Sequence, residues 1–329
     1  MAHALFEAIA ELPTYKRIRP VYIVSNDTLV ESPLVINHLN KVTKLIAVAS
    51  SNLDLPIKVV RTTPAPDKTF WVLLIGKGYP SPNQKMRWCT DRLKIQPTSG
   101  YIRNHVAHSG GVIVVLGVRR DESNARLRTI DKYRNIRGGR LTKHESLPGA
   151  FIYRPIANLS TIDVWDILLS LYPPWGGTHD NLIQLYKDSE GGECPVVLSS
   201  EEAPGCGTSS SRFGCWTCTV VEKDKSLQGF VDSGQQQYRP LIEFRDWLRG
   251  IRNDPKMRQA VRRNGKLTFD ASGKHIPGPF TIQARKQILD RLLEIQGDYG
   301  TDLISTEEID LIHQHWSLEL QKDNEITNG

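Results

Sequence analysis

Between Val21 and Arg119 short β-rich runs alternate with helical ones, and this alternation limits the chain to few architectures. Strands joined in series by helices pack as a parallel sheet with helices on its faces. The runs 21–27, 57–63, 70–76 and 111–119 read as strands. Between the first two, Val35, Leu39, Val42 and Ile46 recur on one helical face. The stretch TIDVWDILLSLY at 161–172 reads as a further helix, with Ser160 or Thr161 as its cap. An α/β fold is therefore expected.

From about Pro173 the texture changes to Gly, Pro, Ser and Cys, and after Lys225 it becomes helical again. QARKQILDRLLEIQ at 283–296 repeats apolar residues at helical spacing, which places Arg285, Lys286, Asp290 and Arg291 outside. Three regions are expected: 1–172 as the α/β domain, 173–320 as a Cys-rich and helical region, and 321–329 as a polar tail. With 39% hydrophobic residues in 329 the chain can bury a sizeable core. It carries no secretory leader pattern and no apolar run of membrane-spanning length, so no membrane partner and a cytoplasmic location are expected. The net charge of +6 favours polyanionic partners, although a solvated basic face accounts for it equally well.

Four of the five cysteines fall in one loop-rich segment, Cys194, Cys206, Cys215 and Cys218, with the spacing C-x11-C-x8-C-x2-C. A CxxC pair brings two thiolates to one metal from a tight turn, and two more can complete a four-thiolate shell. Spacing alone leaves structural zinc, an iron–sulfur cluster and free redox thiols all open. Cys89 stands apart, between Arg87 and Arg92. Positive flanks favour a thiolate there, against the ordinary reading of a lone cysteine as a small buried hydrophobe. Trp88, Trp165, Trp175 and Trp216 read as core, and the histidines form no ligand-spaced motif. Basic residues around Gly138 and Gly139, in 134–145, suit a polyanion or a bare surface loop.

Several blocks together resemble one family, the phosphoadenosine phosphosulfate reductase-like ATP pyrophosphatases, and within it the DndC-type sulfurtransferases of DNA phosphorothioation. They are VYIVSNDTLVESP (21–33), KGYPSPNQKMRWCTDRLKIQP (77–97), LGVRRDESNAR (116–126), RPIANLSTIDVWDIL (154–168), ECPVV, SRFGCWTCTVVEKDKS (211–226), PLIEFRDWL (240–248) and GPFTIQAR (278–285). The resemblance implies an adenine-nucleotide α-hydrolase-like parallel sheet followed by an iron–sulfur region. It also implies a 4Fe-4S cluster on Cys194, Cys206, Cys215 and Cys218, with zinc as the alternative metal, and ATP with Mg as substrate. Asp27, Thr28, Gly117, Arg119, Glu122, Ser123 and Arg126 are then nucleotide contacts, Cys89 a catalytic persulfide carrier, and Lys85, Arg87, Arg92 and Lys94 phosphate or DNA contacts. The partners implied are DNA, a cysteine desulfurase as sulfur donor, and other phosphorothioation subunits.

The family's SGGxDS pyrophosphate loop does not occur in this sequence. MAHALFEAIAELP resembles the helix that follows that loop, so the first central strand and the loop are expected upstream of Met1. ATP hydrolysis by this chain alone is then expected to fail, and the sheet to show open edges. Two rival functions stand beside the sulfurtransferase: a phosphoadenosine phosphosulfate reductase-like enzyme, and a non-catalytic DNA-binding subunit with structural zinc.

Overall fold

Val21–Asn26 (β1) and Ile57–Thr62 (β2) form a parallel pair, in register from Val21 opposite Ile57 to Asn26 opposite Thr62. The computed structural model describes residues 1–133, 140–189 and 213–328, the last seven as backbone only. The chain folds into two compact units, each assembled from three stretches. One contains 1–26, 33–62 and 98–212, the other 27–32, 63–97 and 213–329. The units interleave along the chain instead of meeting at one boundary near 172.

The first unit holds β1, β2 and two helices, Ala2–Ala10 (α1) and Pro33–Asn52 (α2), over one core. Phe6 and Ile9 of α1 pack with Ile46 of α2, Leu55 and Ile57. Fully burying side chains of this size contributes roughly 2 kcal/mol each. A second sheet contains Val112–Val115 (β3), Leu141–Lys143 (β4) and Ala150–Tyr153 (β5) in the order β3-β5-β4, with β5 parallel to β3 and antiparallel to β4. The single parallel sheet expected from the alternation is thus two small sheets, one of them mixed. The run at 111–119 is also shorter as a strand than its composition predicts. Among the described residues, β1 pairs only with β2 and β3 only with β5, so each has one edge without a strand.

Helices Gln96–Ser109 (α3), Asn124–Lys132 (α4), Thr161–Ser170 (α5) and Asp180–Ser189 (α6) connect and flank these strands. Ser160 caps α5, not Thr161: its hydroxyl accepts from the Asp163 N–H, and the Asp163 carboxylate accepts from the Ser160 N–H, a reciprocal capping box. Thr161 instead donates through its backbone N–H and its hydroxyl to Asp121, at 2.8 and 2.9 Å.

The largest departure from the sequence expectation is 70–76, which is helical. Phe70 and Trp71 lead into a π-helical turn, Val72–Gly76, and every residue of it is buried. A short apolar run buried on all sides has no two-residue alternation, so periodicity cannot tell strand from helix. Tertiary contacts decide it. The Trp71 indole N–H donates to the Leu303 carbonyl at 2.8 Å, and that of Trp316 donates to the Ile75 carbonyl at 3.0 Å. This run is the centre of the second unit, with Lys225–Asp232 (α7), Arg239–Ile251 (α8), Ile282–Tyr299 (α9) and Thr306–Asn328 (α10) in the same unit. Thr281 caps the start of α9, and Gly300 ends it at φ 73°, a left-handed conformation that favours glycine. Arg285, expected outside, is fully buried. The segment expected as a polar tail continues α10 as far as Asn328. Trp88, Trp165 and Trp216 are buried, as read from the sequence. No helix among the described residues is long and apolar enough to cross a membrane.

In the first unit three histidines that form no sequence motif come together. The rings of His3 and His179 stack with centroids 5.7 Å apart, and His38 lies close enough to act electrostatically on His179. Each has a buried ring nitrogen with no hydrogen-bond partner: Nδ1 of His3, Nδ1 of His38 and Nε2 of His179. Burial lowers the pKa of His38, helped by Lys41, and lowers that of His179, helped by His3 and His38 and opposed by Asp180. A base whose folded pKa lies below its unfolded value leaves stability intact above the unfolded pKa, about 6.5 for His, and removes it as pH falls from there. Denaturant unfolding should therefore show stability declining from about pH 6.5 downward, and the double variant His38→Gln, His179→Gln should flatten that decline.

Candidate functional site

Three of the cysteines meet in the second unit. Backbone pairing sets the first of them: the Ser32 N–H donates to the Gly214 carbonyl at 3.2 Å, the Trp216 N–H donates to the Val30 carbonyl at 3.1 Å, and Glu31 bridges Cys215 in antiparallel fashion. This short ladder places the Thr28 hydroxyl 3.2 Å from the Cys215 sulfur, while that hydroxyl also donates to Glu31 at 3.0 Å. The CxxC turn closes with the Cys218 N–H donating to the Cys215 carbonyl at 3.0 Å. Cys89 immediately precedes a π-helical segment, Thr90–Ile95, and lies within electrostatic reach of Cys218. The same segment carries Lys94, whose ammonium stands 3.3 Å from the Glu31 carboxylate.

The electrostatics of this group differ from the sequence expectation. Burial pushes the Cys215 thiol up to about 12, with Glu31 adding to the rise and Lys94 and the Thr28 hydroxyl opposing it. Burial and then Cys218 push the Cys89 thiol up as well, where Arg87 and Arg92 were expected to push it down. Arg92 pairs instead with Asp91 at 3.6 Å, and Lys85 and Arg87 are exposed. The effective cation is Lys94. Burial works against its charge, yet Cys215, Glu31 and Cys89 together raise its pKa.

Thiols held this way are poor nucleophiles but suitable metal ligands, because coordination deprotonates a thiol outright. Among the described residues, no three His, Cys, Asp or Glu side chains stand in metal-holding geometry. Cys194 and Cys206 lie outside the described residues. Cys89, Cys215 and Cys218 are thiols of the kind that thiophilic metals take, and Cys89 lies within electrostatic reach of Cys218, but these three do not form a metal-holding group as they stand.

The CxxC loop is fixed from below by two arginines that the sequence reading passed over. Arg245 is fully buried on α8; its Nε donates to the Cys218 carbonyl at 2.7 Å and its Nη1 to the Glu222 carbonyl at 2.8 Å, and it also donates to Val221 and Asp246. Arg252 donates to the carbonyls of Thr219 at 3.1 Å and Pro82 at 2.9 Å. Their signal was present in the sequence: Arg245 falls on the apolar stripe formed by Leu241, Phe244 and Leu248.

The residues expected at the nucleotide are divided. Gly117, Arg119, Glu122, Ser123 and Arg126 belong to the first unit, Asp27 and Thr28 to the second. The first set largely satisfies itself. Glu122 pairs with Arg119 at 3.9 Å and with Arg126 at 3.5 Å, and Ser123 caps α4 by accepting from the Arg126 N–H at 3.3 Å. At Gly117 a Cβ would lie 3.2 Å from Met1, so its close approach is to that residue. Asp27 closes a turn by accepting from the Leu29 N–H at 2.9 Å, with Leu29 at φ 64°. The basic stretch at 134–139 lies outside the described residues, and Leu141–Lys143 beyond it is β4.

No family model matches the chain, and no curated protein does.

Replacing Arg245 by Met should leave the Cys218, Val221 and Glu222 carbonyls without their donor. Urea unfolding is expected to show a loss of about 3 kcal/mol, since each buried polar group left unsatisfied costs about 1–3 kcal/mol.

Proposed function

We propose that the chain is the larger part of a sulfur-transfer enzyme of the DndC type, which replaces a non-bridging oxygen of a DNA backbone phosphate by sulfur on an adenine-nucleotide α-hydrolase-like frame, and that without an SGGxDS loop this chain alone does not carry out the ATP step. The observation that carries this reading is that Cys89 lies within electrostatic reach of Cys218 of the CxxC pair, and that Lys94 acts on both Cys215 and Cys89. Such a set of sulfurs serves a thiophilic group, and with one further cysteine it has the ligands of a 4Fe-4S cluster. Cys89 is then a ligand, because its thiol is disfavoured as a free thiolate and lies beside Cys218.

The chemistry proceeds in balanced steps. A non-bridging DNA oxygen attacks the α-phosphorus of ATP, held with Mg, and pyrophosphate leaves. The terminal sulfur of a persulfide, delivered by a cysteine desulfurase, attacks the DNA phosphorus, and the bond to AMP breaks. A second thiol then attacks the carrier sulfur, which frees the phosphorothioate and leaves a disulfide that an external thiol reduces. The cluster when bound supplies electron-transfer or sulfur-binding capacity at the thiols. This chain's own residues in the second unit act around it: Lys94 holds positive charge against the sulfurs, and Arg245 and Arg252 fix the loop. Other phosphorothioation subunits are the proposed protein partners.

Metal and acid-labile sulfide analysis of anaerobically purified chain tests this. About four iron and four sulfide per chain are expected, and Cys89→Ser, Cys215→Ser and Cys218→Ser should each lose them. Zinc at about one per chain without sulfide would replace the enzyme by a binding subunit with a structural clasp. Iron retained in Cys89→Ser would return that residue to the role of sulfur carrier.

A further inference from the structure

The loop after α1 carries Tyr15, 75% exposed, and Ile18, 79% exposed. The loop is not slack. Arg17, which lies between them in sequence, donates through Nε to the Leu12 carbonyl at 2.9 Å, through Nη2 to the Ala10 carbonyl at 2.7 Å and through Nη1 to the Leu53 carbonyl at 3.2 Å. One side chain thus ties the loop to the end of α1 and to the residue that follows α2. Leu12 and Leu53, whose carbonyls Arg17 holds, are exposed as well. A 3-10 turn, Thr14–Lys16, sets the tip, and the Lys16 ammonium stands 5.8 Å from the centroid of the Tyr15 ring. Lys16 and Arg19 are exposed, and Glu11 is the one carboxylate of 11–19. The loop is therefore a prong ordered before any partner arrives, with an apolar body and cationic flanks.

The second unit holds a surface of the opposite kind. A groove of about 500 Å³ runs between α8 and α9, floored by the buried side chains of Phe244 and Ile295 with Pro240 beside them. Its rim is acidic: Glu243 on α8, and Asp290, Glu294 and Asp298 at four-residue steps along one face of α9, all exposed. Like charges at that spacing repel one another. None of the four is in an ion pair among the described residues, and nearby cations are engaged elsewhere. Arg245 pairs with Asp246, Arg249 pairs with Glu222 at 4.0 Å, and the groove's own Arg291 lies over the Trp247 ring at 4.5 Å. The volume lies within the range of about 300–1,000 Å³ that encloses a small ligand, room for an aromatic and an aliphatic side chain together.

We propose that the prong of one chain docks in the groove of a second copy, with Tyr15 and Ile18 on the floor of Phe244 and Ile295 and with Lys16 and Arg19 against the carboxylates of the rim. Each surface supplies what the other lacks: covered apolar area for two exposed side chains, and counter-charge for four carboxylates. Both halves occur on the same chain, so a second copy is the occupant that the molecule itself provides. The two surfaces differ, so the contact is head-to-tail and repeats from chain to chain unless a ring closes. Neither surface holds a thiol or a residue assigned to phosphate, so the proposal stands whether or not the protein transfers sulfur.

The experiment is sedimentation of the nuclease-treated full chain over a range of protein and salt concentrations. The average mass is expected to rise with protein concentration and to fall as salt screens the rim. Tyr15→Ser with Ile18→Ser removes the prong, and Asp290→Lys with Glu294→Lys reverses the rim. Each pair is expected to weaken association about thirtyfold, as loss of an interface anchor does. All four positions are exposed, so both variants should melt where the parent chain does. Mixed in equal amounts, the two variants retain one intact prong and one intact groove between them, and a complex of two chains that grows no further is expected. A parent chain monomeric at every concentration, association unchanged in either variant, or a mixture that does not pair would each overturn the proposal. Binding of a monomeric parent chain to phosphatidylserine vesicles, lost in the prong variant, would also overturn it and assign the prong to a lipid surface.

Discussion

A guanidinium with no exposure to water needs a hydrogen-bond acceptor for every N–H it can supply, and Arg245 finds most of them on one loop. The carbonyls of Cys218, Val221 and Glu222 all accept from it. Removing an ion from water carries a penalty of several kcal/mol unless the site supplies such partners. The loop after the CxxC turn is therefore held to the one course that satisfies the arginine, and the position of Cys218 follows from that course. Cys215 is set independently, from the other side, by the ladder between 30–32 and 214–216. Two unrelated constraints thus converge on one pair of thiols, and Cys89 completes the group from the π-helical segment.

The same device recurs throughout the second unit. All five named strands belong to the first unit, so loop carbonyls in the second have only isolated bridges, such as Glu31 with Cys215, to join. Side-chain donors take that role. Arg252 serves Pro82 and Thr219, Arg258 serves Gly278 and Pro277, and Arg285 serves Gly76 at 2.8 Å while pairing with Glu319 at 2.6 Å. Burial brings the Arg258 guanidinium down to about 10, with Arg262 and Arg252 adding to the shift. The pattern explains why so many arginines lie inside a unit otherwise filled by Trp71, Phe244, Phe280 and their neighbours. Arginine brings five donors on one side chain, which no other residue matches.

Much of the first unit was legible in the sequence because its elements carry period. β1 and β2 alternate with an amphipathic α2, and Ser160 with Asp163 spells a capping box before α5. The run 70–76 was not legible, since a segment apolar at every position fits a buried strand and a buried helix equally. Arg285 was placed outside because a charge on a helix is usually solvated; only the carbonyl of Gly76 and the carboxylate of Glu319 explain its burial. In the site, the CxxC turn was visible from spacing. Glu31 and Lys94 were not visible as partners of the thiols, because they join across 63 positions of sequence through folding alone.

By itself the sequence determined the mixed α/β class of the fold, the region of the cap before α5 and the CxxC spacing, all properties read over a few neighbouring residues. Tertiary structure alone decided that Cys89 comes within electrostatic reach of Cys218, that Lys94 and not Arg87 or Arg92 supplies the local positive charge, and that the chain passes five times between two units. The physical reason is the range of the interactions. Helix periodicity and capping act within about a turn, whereas the pKa of a thiol and the acceptors of a buried guanidinium depend on whatever the fold brings near them, at any distance along the chain.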